Sequence, residues 1–273
     1  MGDMADGMEM LFLGTGTSLG VPMIGCDCAV CRSADPRDKR RRSSVYVAAG
    51  ATRLVIDTSP DFREQCLAFG LRRVDAVLFT HAHADHILGL DDIRRFNTLQ
   101  KEAIPAYATP ETLAEVRRVF AYIGRPALPG LYRPQIDFRP IAGPFRVGEV
   151  EVAALDVEHG PDGRTVGFLL AWNGRRLAYF PDCHTMPAAT REALRGVDVM
   201  VLDTLRHRPH PTHMNVAESI AELRAIGARR GLLMHMCHDL GHAALAAGLP
   251  AGIEAAYDGL RVSVPDPEPP LPS

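Results

Sequence analysis

His81-Ala82-His83-Ala84-Asp85-His86 follows directly on the short apolar run 76–79, and no other stretch constrains the chain as strongly. In the pattern H-x-H-x-D-H, two histidines two residues apart can face one cation from an extended turn. The aspartate and last histidine reach a second cation beside it. Imidazole and carboxylate ligands suit zinc, manganese or iron. Three more apolar segments end in the same residue types: 150–157 leads to His159, 175–180 to Asp182, and 231–234 to His235. Such strand ends converge on one sheet edge, where a rigid scaffold presents them. The expected grouping is His81, His83, His159 and Asp182 on one metal, and Asp85, His86, His235 and Asp182 on the other, bridged by the Asp182 carboxylate. Two divalent ions against two aspartates leave the site positive. That charge attracts an anionic ester, and a bridging hydroxide is the natural nucleophile. The motif therefore predicts a dinuclear hydrolase using manganese or zinc.

Around these segments, strands alternate with helices. Strands are expected at 10–13, 45–48, 54–56, 104–107, 166–172 and 197–203. Asn173-Gly174 marks a type I′ hairpin between 166–172 and 175–180. Helices are expected after Pro60 up to Gly70, over 111–122, and from Asn215, where Glu218 completes a capping box. The Gly- and Pro-rich stretch 124–134 reads as a loop, a candidate lid. Residues 255–264 read as a hairpin around Asp258-Gly259. No repeat or linker divides the chain, so one domain is expected over 1–264, followed by a disordered Pro-rich tail at 265–273. A net charge of −3 provides no global basic field for nucleic acid or membrane. No apolar run approaches a membrane span, and residues 1–10 lack the features of a signal peptide, so a cytoplasmic location is expected. A homodimer is the default assembly.

Cys26, Cys28 and Cys31 form C-x-C-x-x-C. Three thiols this close favour a structural zinc over disulfides, and tetrahedral zinc needs a fourth ligand. His238, in His235-Met236-Cys237-His238, is the expected one, with Cys237 as the alternative. That closure would tie the N-terminal loop to the strand carrying His235.

These motifs resemble the metallo-β-lactamase superfamily, over 13 to about 264. The resemblance implies a four-layer αββα sandwich, an α/β fold. It also implies a role for Asp57, at the end of 54–56, in steadying the histidine loop. Asp182 departs from true β-lactamases, whose second metal site uses cysteine; Cys183, beside it, is expected to pack. The Gly14-Thr15-Gly16 loop, Gly20-Val21-Pro22, the cysteine motif and the late H-x-x-H narrow the likeness to the phosphoribosyl 1,2-cyclic phosphate phosphodiesterases of phosphonate breakdown, with the PQQ-biosynthesis B proteins as relatives. This implies a phosphodiesterase acting on a small cyclic phosphate or nucleotide-like ester. The catalytic residues are then His213, which matches the family's catalytic histidine as proton donor, and Asp85. Candidate substrate contacts are Arg94, with Arg95 as its alternative, Asn97 and His207, with Arg206 beside it. The basic run Arg37, Lys39, Arg40, Arg41 and Arg42 reads as solvated, with nucleic acid a disfavoured partner. An RNA-processing nuclease and a non-catalytic ligand-binding protein of the PQQ-biosynthesis B kind remain the alternatives.

Overall fold

The computed structural model describes residues 7–125, 132–161 and 163–266. Two seven-stranded sheets face each other. The first contains β1 (Met8–Gly14), β2 (Ser44–Ala49), β3 (Thr52–Ile56), β4 (Ala76–Leu78), β5 (Ile104–Ala108) and β6 (Ile136–Pro140). The second contains β7 (Phe145–Val147), β8 (Val150–Val157), β9 (Thr165–Trp172), β10 (Arg175–Phe180), β11 (Val199–Asp203), β12 (Arg230–Met234) and β13 (Ile253–Ala255). The last strand, β14 (Arg261–Val264), returns to the first sheet. The orders are β14-β1-β2-β3-β4-β5-β6 and β13-β12-β11-β10-β9-β8-β7.

Strands β2, β4 and β11 are buried along their whole length because both faces of each sheet are covered there, and the two-residue period sorts the side chains. Met8, Met10, Phe12, Val45, Val47, Leu54 and Ile56 meet Val166, Phe168, Leu170, Leu177, Tyr179, Val199 and Val201 between the sheets. Their neighbours Leu11, Leu13, Val55, Val77 and Phe79 point outward against helices.

The helices are α1 (Ala29–Arg32), α2 (Phe62–Phe69), α3 (Ala84–Ile87), α4 (Ile93–Gln100), α5 (Pro110–Val119), α6 (Ala188–Leu194), α7 (Val216–Ile226) and α8 (His242–Gly248). Phe62, Ile93, Phe96, Leu113 and Val116 bury α2, α4 and α5 on the first sheet. Leu194, Leu223 and Ile226 bury α6 and α7 on the second. The architecture is the expected αββα sandwich. No described helix is long and apolar enough to cross a membrane.

Several local expectations are met. Asn173 and Gly174 take φ of 46° and 77°, as a type I′ turn requires. Asn215 and Glu218 form the capping box of α7. Two expectations are corrected. Helix α2 starts at Phe62 with Asp61 as its N-cap, so Pro60 lies in the preceding turn. Residues 255–264 form no hairpin: β13 pairs parallel with β12, while β14 pairs antiparallel with β1. The Asp258-Gly259 turn carries the chain from one sheet to the other. Asp258 is held by Thr15 N and Oγ1 and by Arg41 N, partners remote in sequence. Of the candidate lid, residues 126–131 lie outside the described residues. So do residues 267–273 of the tail.

Candidate metal centre

Strand direction places the site. Strands β10, β11 and β12 run parallel, and β8 and β10 each run antiparallel to β9. Their C-terminal ends therefore share an edge, which receives His159, Asp182, Asp203 and His235. From the first sheet, β3 delivers Asp57 and β4 delivers the loop from His81. Gly89 closes that loop onto the end of β3: a Cβ there would lie 2.2 Å from Ser59 O. Thr58 N donates to His86 O at 2.8 Å, and Gly89 N to Thr58 O at 2.9 Å.

The metal-candidate side chains fall into triplets whose ligand atoms lie within 4.8 Å of one another: His81, His83 and His159; His81, His86 and Asp182; and Asp85, His86 and His235. Asp182 stands between them with its oxygens divided. Oδ2 faces His159 Nε2 at 3.3 Å and His81 Nε2 at 3.9 Å. Oδ1 faces His86 Nε2 at 3.2 Å and His235 Nε2 at 3.4 Å. Asp85 Oδ2 lies 3.3 Å from His86 Nε2 and 3.8 Å from His235 Nε2.

Surrounding groups fix the imidazole tautomers. His86 Nδ1 donates to Asp57 Oδ2 at 2.8 Å, and His159 Nδ1 to Thr212 O at 2.9 Å. His81 Nδ1 donates to Thr80 Oγ1 at 3.0 Å, and that hydroxyl donates to Asp57 Oδ2 at 2.9 Å. Each Nε2 is thereby the ring atom turned inward toward the cluster, the usual arrangement of metal-binding histidine. Asp57 anchors two of the three rings, and adopts φ 62° to do so. His235 is also left-handed, at φ 60°. Non-glycine residues in this region are strained, and such strain concentrates at functional sites.

Burial opposes charge on every one of these groups, and the outcome differs among them. His81 lies well below the usual imidazole range, and His159 falls to about 4, both chiefly through burial. Asp182 overcomes the same burial because His235, His86 and His81 hold its carboxyl far below the usual carboxylate range. Burial would lower His86 too, yet Asp182, Asp85 and Asp57 around it push it well up. A divalent cation requires ionised carboxylates and neutral imidazoles, so His86, whose charged form these carboxylates favour, would release a proton on taking one up. The donor set also fits on another count. His86 Nε2, Asp182 Oδ1 and His235 Nε2 are buried and have no hydrogen-bond partner. Each such atom costs about 1–3 kcal/mol unless something satisfies it, and all three converge on one point. Divalent ions would satisfy them.

His213 overlooks this cluster, its ring centroid 4.6 Å from that of His159 and 4.8 Å from that of His235. Its Nδ1 donates to Asp203 Oδ2 at 2.7 Å. Asp203 is fully buried and also accepts from Cys183 N at 2.9 Å, while its Oδ1 faces His235 Nδ1 at 3.8 Å. Sequence reasoning missed Asp203. It ends the apolar run of β11 just as Asp182 follows β10, and that strand-end rule would have found it. Cys183 is buried in the outer core, where it packs.

The second cluster is Cys26, Cys28, Cys31 and His238. His238 Nδ1 lies 3.2 Å from Cys26 Sγ and 3.4 Å from Cys28 Sγ. The alternative ligand, Cys237, is turned aside and accepts from Asp239 N. The Cys28 thiol is lowered to about 6, first by the Cys31 amide and then by His238, whereas burial raises Cys31 to about 11. Arg40, fully buried, locks the turn that carries His238: Nη1 donates to Cys237 O at 3.0 Å and Nη2 to Leu240 O at 2.6 Å.

The remaining expectations fare differently. Asn97 donates to Glu102 O and Gln135 O and accepts from Gln135 N, so its amide is fully engaged with backbone and holds α4 in place instead of contacting substrate. Arg94 is paired with Asp91, and Arg95 lines a groove on the far side of α4. His207 is exposed, whereas His210 lines a cleft beside His213, its ring 5.1 Å from that of His213. The basic run is tied down internally: Arg37 to Asp35, Lys39 to Cys31 O, Arg41 to Asp258 and Arg42 to Asp61.

Residues 52–236 match the family model described as a β-lactamase superfamily domain. The chain belongs to the β-lactamase superfamily. Among solved structures, it is similar to a diphosphatase of the PhnP family, with 39% identity and a TM-score of 0.86 over 94% of this chain and 96% of that one. It is 35% identical to an octanoyltransferase of Porphyromonas gingivalis over 94% of its own length, but spans only 52% of that protein. It is 34% identical to coenzyme PQQ synthesis protein B of Methylorubrum populi over 72% of each chain. The superfamily fold implies divalent metal binding, in keeping with the His/Asp clusters described above.

Proposed function

We propose that the chain is a two-metal phosphodiesterase acting on small cyclic phosphate or nucleotide-like esters. The observation that carries this reading is the division of the Asp182 carboxylate, with one oxygen toward His81 and His159 and the other toward His86 and His235. A carboxylate placed in this way suits two cations side by side. One would be held by His81, His83, His159 and Asp182, the other by Asp85, His86, His235 and Asp182. Manganese or zinc bound there would make hydroxide available at neutral pH and neutralise charge on the phosphoryl oxygens. The cysteine cluster with His238 would hold a structural zinc.

The chain's own groups supply the proton chemistry. His213, with Nδ1 fixed on Asp203, presents Nε2 to the centre and protonates the departing oxygen. Asp85 stays ionised because His86 and His235 outweigh its burial, and it takes the proton released by the attacking water. Asp57 keeps the histidine loop in register. The likeness to a PhnP-family diphosphatase supports phosphorus–oxygen chemistry as the class.

With manganese or zinc supplied, the protein is expected to hydrolyse bis(p-nitrophenyl) phosphate. His213→Ala should retain metal and lose rate; full activity in that variant would remove His213 from the mechanism. The likeness to PQQ synthesis protein B supports a second reading, tight binding of a small product without turnover. The same assay separates the two.

A further inference from the structure

Two clefts open on either side of the centre, and their walls carry opposite charge. One, of about 250 Å³, is bounded by His81, His83 and His159 and continues to Glu111, Glu115 and Arg164. Arg164 is paired with Asp156 at 2.6 Å and Glu115 with Arg118 at 2.7 Å, which leaves Glu111 without an ion pair among the described residues. This cleft presents net negative charge. The other, of about 290 Å³, begins at His213 and is walled by Thr17, Arg206, Arg208, His210 and Asp239. Asp239 is its one carboxylate and is paired with Arg208 at 2.9 Å. Arg206 donates only to the carbonyls of Arg208 and Pro209. Its charge has no ion-pair partner among the described residues. His210 Nδ1 accepts from Thr212 N and faces Thr212 Oγ1, which leaves Nε2 for other partners.

We propose that these clefts orient an asymmetric substrate: the departing arm carries a further phosphate, held by Arg206 and His210, and the retained arm is uncharged and hydroxyl-bearing, placed against Glu111. The orientation follows from His213, which lines the basic cleft and not the acidic one. The leaving side is the side that can receive a proton. A guanidinium holds phosphate through charge-assisted hydrogen bonds, while Glu111 repels an anion and accepts from hydroxyls. With a nucleoside diphosphate, the water oxygen bonds to the inner phosphorus and its proton goes to Asp85. The bond from that phosphorus to the bridging oxygen breaks, the electron pair leaves with the outer phosphate, and His213 returns a proton to it. The products are a nucleoside monophosphate and phosphate. This inference rests on the phosphodiesterase reading and deepens it.

The test compares ADP with thymidine 5′-(p-nitrophenyl) phosphate in the metal-loaded protein. Both retain a nucleoside arm, and only ADP has an anionic leaving arm. Arg206→Gln is expected to lower the ratio of kcat/KM for ADP to that for the nitrophenyl ester by about tenfold or more, with Arg206→Lys restoring part of it. Competitive inhibition by pyrophosphate should weaken in parallel. An unchanged ratio and unchanged inhibition in Arg206→Gln would overturn the subsite while leaving the hydrolase reading intact. Failure of the wild-type protein to turn over either ester would overturn the hydrolase reading and this inference with it.

Discussion

Replacing Asp203 with asparagine isolates the proton path from the metal ligands. The side chain is fully buried, and its Oδ2 accepts from both His213 Nδ1 at 2.7 Å and Cys183 N at 2.9 Å. Burial pushes the Asp203 carboxyl well above the usual carboxylate range, against the pull of His235; asparagine keeps the shape and removes the acid. If the amide oxygen occupies that position, the bond to His213 becomes a neutral one; if the amide nitrogen does, two donors face a third. A hydrogen bond contributes about 0.5–1.5 kcal/mol and a buried donor left unpaired costs about 1–3 kcal/mol, or roughly 2- to 100-fold in rate at 1.36 kcal/mol per decade. We therefore expect kcat on bis(p-nitrophenyl) phosphate to fall by that factor. KM should change little, because Asp203 lines neither cleft. The pH profile supplies a second signature. Burial already draws His213 below the ordinary imidazole value. Removing the carboxylate further favours the neutral ring, so the basic limb of the profile should move to lower pH. His213→Ala should lose at least as much rate, and combining the two changes should add little. A variant Asp203→Asn with unaltered kcat and an unmoved basic limb would refute the view that Asp203 holds His213 as the acid.

Other consequences concern the scaffold. Asp57→Ala should weaken metal binding by about 10- to 100-fold in a chelator competition, because His86 and the Thr80–His81 chain lose their anchor. Arg40→Met would leave Cys237 O and Leu240 O without their buried donor, costing ~3 kcal/mol in a urea titration and loosening zinc at the cysteine site. In metal-free protein, the folded-state Cys28 thiol titrates at about 6 instead of 9.0. The folded chain then binds fewer protons than the unfolded chain between these values. Stability should rise with pH across that window and be lost as pH falls through about 6; the urea midpoint in the presence of a chelator measures it.

The gathering of His81, His83, His159, Asp182 and His235 could be read from the chain because each lies just beyond a recognisable strand, and a strand end is a local signal. The Cys26–Cys31 spacing is local in the same sense, and His238 lies close to His235 in sequence. What escaped notice depends on partners remote in sequence. Asp258-Gly259 has the composition of a hairpin turn, but β13 and β14 find β12 and β1 instead, and nothing near residue 258 announces this. Arg40 looks like part of a solvated basic run until the turn carrying His238 closes over it. Asn97 and His207 lie near the metal ligands in sequence, but remote backbone around α4 engages the amide of Asn97 and His207 is exposed.

Metal analysis of the crystalline protein, by anomalous scattering at the edges of manganese and zinc, addresses the central proposal most directly. Two ions are expected around Asp182, one against His81, His83 and His159 and the other against Asp85, His86 and His235, with a separate zinc at Cys26, Cys28, Cys31 and His238. A filled cysteine site beside a histidine cluster that takes up no divalent ion after reconstitution would contradict the two-metal hydrolase.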